Sequence, residues 1–359
     1  MAAHSVVRPL ARNLQKHVGA RTFTTLRPGQ TPGPAPRHFL SIKDLSSEEF
    51  KTLVDNATAH KKTLQSSSFN AKSWALSTAL QGQTVPMMFS KRSTRTRIST
   101  EGAIVVLGGH PLFLGKDDIQ LGVNESLYDT SVVLSSMSAG IVARVGPHRD
   151  IAGLAKDSSV PVINALCDTF HPMQIIADFA CLTQTFNTDA EGLAGLKIAW
   201  VGDANNVLYD MCIGAQKLGV SMAVATPKGY EIPEQMKAMI GEAGSAQLSE
   251  TNTPEEAVKD ADVIVTDTWI SMGQEAEKQK RLQAFEGYQV TEAMAEKGGA
   301  NKDWKFMHCM PRHQEEVSDE VFYGKRSLVF SEAQNRLWSA IATLEGFVVN
   351  KGDIKKTQT

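Results

Sequence analysis

Residues 90–97, SKRSTRTR, set four cations (Lys91, Arg92, Arg95 and Arg97) among the hydroxyls of Ser90, Ser93, Thr94 and Thr96. A strand-like apolar run, 85–89, precedes them. From Ser93 onward the spacing is helical, with Ile98, Ile104, Val105 and Leu107 as an apolar stripe. The first turn of a helix leaves backbone N–H groups unpaired and carries roughly half a positive charge, so the order strand, turn, hydroxyl, helix binds anions. Arg95 and Arg97 add planar forks that meet phosphate or carboxylate oxygens in pairs. The plainer alternative is a solvated basic helix start. The stretch lacks G-x-x-x-x-G-K-[ST], so a small phosphorylated metabolite fits it better than ATP.

Other residues of chemical type fall after apolar runs. Arg144 sits inside IVARVG, where a guanidinium needs a ligand anion, a carbonyl oxygen or a structural ion pair in the core. His171 precedes Pro172 at a helix start, whose positive end favours a neutral imidazole able to donate to a carbonyl; a simple capping role is the alternative. Gln174, one turn on, faces the same way and could bind an amide or amine. Asp267 opens DTWISMG, an anion beside a Gly-ended loop suited to a cationic substrate, or else an ordinary turn. Cys309, in HCMPR, reads as a nucleophile, a contact for an amine, or an inert thiol. His308 beside it points to the opposite face of a strand, so the two form no dyad.

The elements that must position these residues alternate. Strands are predicted at 85–89, 111–114, 140–145, 160–166, 196–203, 220–225, 261–266 and 306–310. Helices are predicted after Ser93 and at 127–137, 172–186, 207–218, 232–243, 274–285 and 332–347, with a capped helix from Ser46 in front. Such βαβ alternation implies an α/β fold of two domains, each a parallel sheet flanked by helices. Ligands gather at the carboxyl ends of such strands, and 90–97, 144, 171–174, 202–206, 267–273 and 308–312 all follow predicted strands. Facing strand ends would form one cleft.

The chain has 359 residues, enough for two full cores. No apolar run approaches the ~20 residues that span a membrane. Its four cysteines form no C-x-x-C pair, which implies a reducing compartment and no structural zinc. Residues 1–43 hold seven Lys and Arg and no acid, and Val6, Leu10, Leu14 and Val18 recur every fourth residue. That pattern predicts a mitochondrial transit peptide, against the alternatives of a disordered basic arm or a nucleic-acid-binding tail. A Pro/Gly-rich linker, 28–36, follows it. The division is 1–37 transit peptide and linker, 38–186 first domain, and 187–359 second domain.

In order and spacing, SKRSTRTR, HPMQ, DTWISMGQE and HCMPR resemble the carbamoyltransferases. The S-M-G loop with H-C-x-P-R resembles the ornithine-specific branch of that family. The likeness runs from about His38 to Val349. It implies transfer of the carbamoyl group of carbamoyl phosphate to the δ-amine of L-ornithine, without cofactor or metal, in the mitochondrial matrix. It also implies that the C-terminal helix packs back on the first domain. Ser93, Thr94, Arg95 and Thr96 match the phosphate loop. Arg144, His171 and Gln174 match the groups around the carbamoyl carbonyl and amide, and Arg336 the arginine closing that side. Asn206, Asp267, Ser271 and Met272 match the ornithine positions, with Asp267 taking the α-ammonium. Cys309 matches a thiol near the reacting amine. Gln120 matches a residue that reaches a neighbouring subunit's site, which implies a homotrimer. Met310 departs from the usual leucine, a change that leaves its backbone carbonyl in place.

Four other readings stand beside this one, the first being catabolic or putrescine-directed relatives, against which a transit peptide fits a biosynthetic mitochondrial role. Aspartate carbamoyltransferase shares the phosphate loop but needs cations for a dicarboxylate, where this chain offers Asp267 and Ser271. WVGDANN offers a dinucleotide-binding reading but lacks G-x-G-x-x-G. A non-catalytic module on the same fold is the fourth. Neither nucleic acid nor membrane insertion is expected.

Overall fold

The computed structural model describes residues 35–71, 73–118, 125–270 and 277–358, and residues 36–359 form one compact unit. Chain order is α1 (Ser47–Leu64), β1 (Thr84–Phe89), α2 (Thr94–Val106), β2 (His110–Gly115), α3 (Leu127–Ser136), β3 (Ile141–Arg144), α4 (His148–Asp157), β4 (Val162–Leu166) and α5 (Pro172–Phe186). The second half runs β5 (Lys197–Val201), α6 (Asn206–Leu218), β6 (Ser221–Ala225), α7 (Glu234–Glu242), β7 (Leu248–Thr251), α8 (Pro254–Val258), β8 (Val263–Val265), α9 (Lys278–Ala284), α10 (Glu292–Gly298), β9 (Lys305–Met307), α11 (Asp319–Phe322) and α12 (Val329–Leu344).

Every strand pair is parallel. One sheet has the order β2-β1-β3-β4 and the other β7-β6-β5-β8-β9. In both, the central strand reverses the direction in which the sheet grows, which creates a crevice at its carboxyl end. β1 and β3 are apolar and buried almost throughout, as strands covered on both faces must be. The edge strand β7, LSET, alternates no apolar residues and is buried nowhere, so it carries no sequence signal.

Caps set the helix starts. Ser46 and Glu49 form a reciprocal capping box for α1. Ser93 Oγ accepts from Thr96 N at 3.3 Å to start α2, and Pro172 occupies the first turn of α5. The C-terminal helix α12 packs on α1, α2 and α5 of the first half. One apolar core therefore runs from the first sheet through α5, α6 and α12. A second core covers the far side of the other sheet, around Trp269, Phe285 and Phe306. Each large apolar side chain buried in them is worth about 1.5–3 kcal/mol.

The apolar stripe expected along α2 is only half realised. Ile104 and Leu107 are buried, but Ile98 is 65% and Val105 59% exposed. No helix among the described residues is long and apolar enough to cross a membrane.

Candidate active site

A cavity of about 920 Å³ lies where the carboxyl ends of the two sheets face one another. Its walls bring together residues 91–96, Arg144, His171, Gln174, residues 203–206, Asp267, Cys309 and Arg336. Apart from Arg336, which comes from α12, these segments meet there because each follows a strand of a parallel sheet or starts the helix behind one.

On one wall, Ser93, Thr94, Arg95 and Thr96 form the first turn of α2. Arg95 donates to the backbone carbonyl of Met310, so this wall reaches the opposite half of the molecule. Arg97 does not join it. Its Nε pairs with Glu101 at 2.9 Å and its guanidinium lies 3.6 Å from the centre of the Phe113 ring. Helical geometry explains the correction: two residues after Arg95, the side chain points well away from it.

The floor is cationic. Arg144 is buried, and its side chain makes no hydrogen bond or ion pair with the described residues. A structural ion pair is thereby set aside. Burial pulls its pKa down to about 10, with Cys309 opposing and Arg95 adding to the fall. Arg336, reaching in from α12, meets three polar side chains. It donates to Gln174 Oε1, lies 3.2 Å from His171 Nε2 and gives a 3.3 Å bond to Thr96 Oγ1. Burial likewise brings its pKa down to about 10.

His171 stays neutral, as expected, but mainly for another reason. Burial comes first, followed by the charges of Arg336, Arg144 and Arg95. A ring nitrogen facing a guanidinium, which only donates, must be the acceptor. The His171 proton therefore sits on Nδ1, which has no partner among the described residues.

Across the cavity, Asp267 follows β8. Its Oδ1 accepts from Cys309 Sγ at 3.1 Å and its Oδ2 from Asn205 Nδ2 at 2.7 Å. Enclosure, then the charge of Asp267, raises the Cys309 thiol well above its ordinary pKa. Cys309 is thus a protonated donor here and not an activated nucleophile. His308 turns away as expected, with Nδ1 accepting from Met310 N at 2.9 Å and Nε2 meeting Glu316 at 3.1 Å. Gly202, with φ +144°, ends β5 where a Cβ would come within 3.1 Å of Thr266 Oγ1 and 3.2 Å of the Trp269 ring nitrogen, so only glycine fits.

The arrangement can hold a dianion at a helix start, polarise a carbonyl with buried guanidinium groups, and receive an ammonium at a carboxylate. Among the described residues no cluster of side chains suited to a metal ion occurs.

Comparison with known proteins agrees with that chemistry. The family model described as the aspartate/ornithine carbamoyltransferase carbamoyl-P binding domain matches residues 37–184, and that for the Asp/Orn binding domain matches 194–346. The chain belongs to the aspartate/ornithine carbamoyltransferase family. It is 66% identical over 330 residues to the mitochondrial ornithine carbamoyltransferase of Aspergillus terreus, covering 89% of this chain and 91% of that one. A crystal structure of the mitochondrial enzyme from Coccidioides immitis superposes with a TM-score of 0.83 at 63% identity, covering 89% of this chain and all of that one. The ornithine carbamoyltransferase of Pyrococcus furiosus gives 0.80 at 40% identity, over 89% and 99% of the two chains.

Gln120, Ser271 and Met272 lie outside the described residues. Asn206 lines the cavity, but its Nδ2 donates 2.7 Å to the Cys167 carbonyl. Its neighbour Asn205, one of the strand-end residues 202–206, holds Asp267 and caps α6 through Val207 N and Leu208 N. An Asn immediately before an apolar helical run was the available signal.

Proposed function

We propose that this cavity binds carbamoyl phosphate and L-ornithine side by side, with the residue roles given below. The chain transfers the carbamoyl group to the δ-amine of ornithine, giving L-citrulline and phosphate. The observation that carries the reading is one cavity lined by both the cationic start of α2 and Asp267, with the guanidinium of Arg144, unpaired among the described residues, in its wall.

Ser93, Thr94, Arg95 and Thr96 hold the phosphate through charge-assisted bonds of about 1.5–3 kcal/mol each. The neutral δ-amine attacks the carbonyl carbon, forming the new C–N bond, and negative charge gathers on the carbonyl oxygen. Arg144, Thr96 and the free N–H of neutral His171 stabilise that charge without rearranging. The C–O bond to phosphate then breaks, and the amine proton departs with the phosphate dianion. Gln174 and Arg336 bind the carbamoyl end. Asp267 takes the α-ammonium of ornithine, with Asn206, Ser271 and Met272 completing its pocket and Cys309 beside the reacting amine. Holding both substrates in line supplies much of the acceleration. No cofactor enters this scheme.

Residues 38–186 form the carbamoyl-phosphate half and 187–359 the ornithine half, α12 included. Residues 1–37 direct the chain to the mitochondrial matrix. The acid-free, Arg-bearing start supports import, as do the mitochondrial names of relatives. A homotrimer, with Gln120 of each subunit reaching a neighbour's cavity, is supported by exposed apolar side chains in two places. Ile98, Val105 and Leu112 lie on α2 and β2, Tyr128 and Val133 on α3, and Met137 directly after it. α2 packs against α12 while α3 packs against α4, and two different sticky surfaces suit a head-to-tail ring.

The test is product formation with ornithine, putrescine, acetylornithine and aspartate as acceptors. Citrulline from ornithine with little carbamoylation of the other three is expected. Equal use of putrescine would remove the role given to Asp267.

A further inference from the structure

Behind the cavity, where α5 faces α12, two carboxyl groups lie together away from water. Asp178 is 1% and Glu332 2% exposed. Gln174 Nε2 donates to Asp178 Oδ1 at 2.7 Å and to Glu332 Oε1 at 3.0 Å, while Gln174 Oε1 accepts from Arg336. Glu332 Oε2 accepts from the His308 backbone N–H at 2.9 Å. These partners leave the amide one orientation. Reversed, it would set its oxygen against two carboxyl groups and its NH₂ against a guanidinium, which only donates.

We propose that Asp178 and Glu332 are positioning residues that pin the Gln174 amide with its oxygen toward the cavity, so that the site selects an acyl phosphate whose acyl carbon carries N–H donors. The inference rests on the reading of Gln174 as a carbamoyl-binding residue. A carbamoyl group presents two N–H donors to such an oxygen, whereas the methyl of acetyl phosphate presents none.

The electrostatics of the pair fit this role. Two carboxyl groups sharing one dry site do not both ionise. Burial, together with their mutual repulsion in the case of Glu332, raises both above the usual carboxylate range. Other groups facing the pair are Arg336, whose cation opposes the rise at Asp178, and Asp267, whose charge adds to it. The Cys309 and Cys181 thiols, both raised by burial, feel the pair as well. Both shifts run toward the protonated form, so the pair carries less than its full negative charge beside Arg336, and each carboxyl still accepts from Gln174.

The test compares wild type with Asp178→Asn, Glu332→Gln and Gln174→Ala. It measures the KM of carbamoyl phosphate, the inhibition constant of acetyl phosphate, the KM of ornithine and the melting temperature. Either acid variant replaces a carboxyl acceptor by an amide that can also donate, and so weakens the pinning of Gln174, leaving Arg336 and the other acid to hold it. The expected result is a fall of about tenfold in the preference for carbamoyl over acetyl phosphate, the worth of one hydrogen bond, with the ornithine KM within about twofold of wild type. An unchanged preference in both acid variants, alongside a collapse in Gln174→Ala, overturns this inference alone. An unchanged preference in Gln174→Ala overturns the reading of Gln174 and the inference with it. Acid variants that fail to fold, or lose both substrates in equal measure, would make the pair a packing element and also overturn it.

Discussion

Arg144 is a residue whose surroundings make sense only with a ligand. A guanidinium at the end of a buried strand costs several kcal/mol to desolvate, and no carboxylate among the described residues compensates it. Its placement among Arg95, Arg336 and neutral His171 suits charge that appears during the reaction better than charge already present in the protein. Arg144→Ala is therefore expected to lower kcat by about 10²–10³-fold, the scale of one lost oxyanion contact. The ornithine KM should move little. Steady-state rates at saturating carbamoyl phosphate check this, and an intact kcat would return Arg144 to a structural role. Thiol chemistry is a weaker theme at this scale: with its pKa raised, Cys309 donates a hydrogen bond to Asp267.

At the scale of elements, α6 is tied to the first half of the molecule by one buried carboxylate. Asp210 accepts from Ser41 Oγ at 2.8 Å, from Ile42 N at 3.0 Å and from His171 N at 2.9 Å. Burial pushes its pKa from 3.8 up to about 7, and the three donors only partly offset the rise. A folded-state pKa above the unfolded one means that the native protein binds the extra proton. The resulting stability is fully present below about pH 4 and is lost as pH rises through about 7. At about 1.4 kcal/mol per unit the ceiling is roughly 4 kcal/mol. The difference in melting temperature between wild type and Asp210→Asn should thus shift against the wild type between pH 5 and pH 8. A pH-independent difference would show that Asp210 is ionised throughout.

What the sequence made legible follows the reach of each interaction. Pro172, the hydroxyl of Ser93 and the apolar strands act within a few residues, so a short window of sequence reveals them. The rule that ligands gather at strand ends then groups the cavity residues. Contacts such as Ser41 to Asp210, Gln174 to Arg336 and Asn205 to Asp267 join positions 169, 162 and 62 residues apart. They leave no local pattern. For the same reason the outward turn of Ile98 and Val105 was hidden: helical spacing gives a stripe, and only the packed molecule decides which way it faces.

For the whole molecule, those outward apolar residues carry a prediction about assembly. Replacing Ile98 and Val105 by Glu should break the proposed trimer into monomers, as measured by sedimentation or light scattering, with activity lost in parallel. A wild-type monomer of full activity would remove the trimer from the account. The two-sided cavity carries the central claim, that a helix start captures phosphate on one wall while a carboxylate orients the diamino acid on the other. The most direct measurement is steady-state kinetics of Arg95→Ala and Asp267→Asn with both substrates varied. The account predicts a crossed pattern, with Arg95→Ala raising the carbamoyl phosphate KM by at least about tenfold and Asp267→Asn raising that of ornithine, each sparing the other substrate. Parallel losses for both substrates in both variants would contradict it.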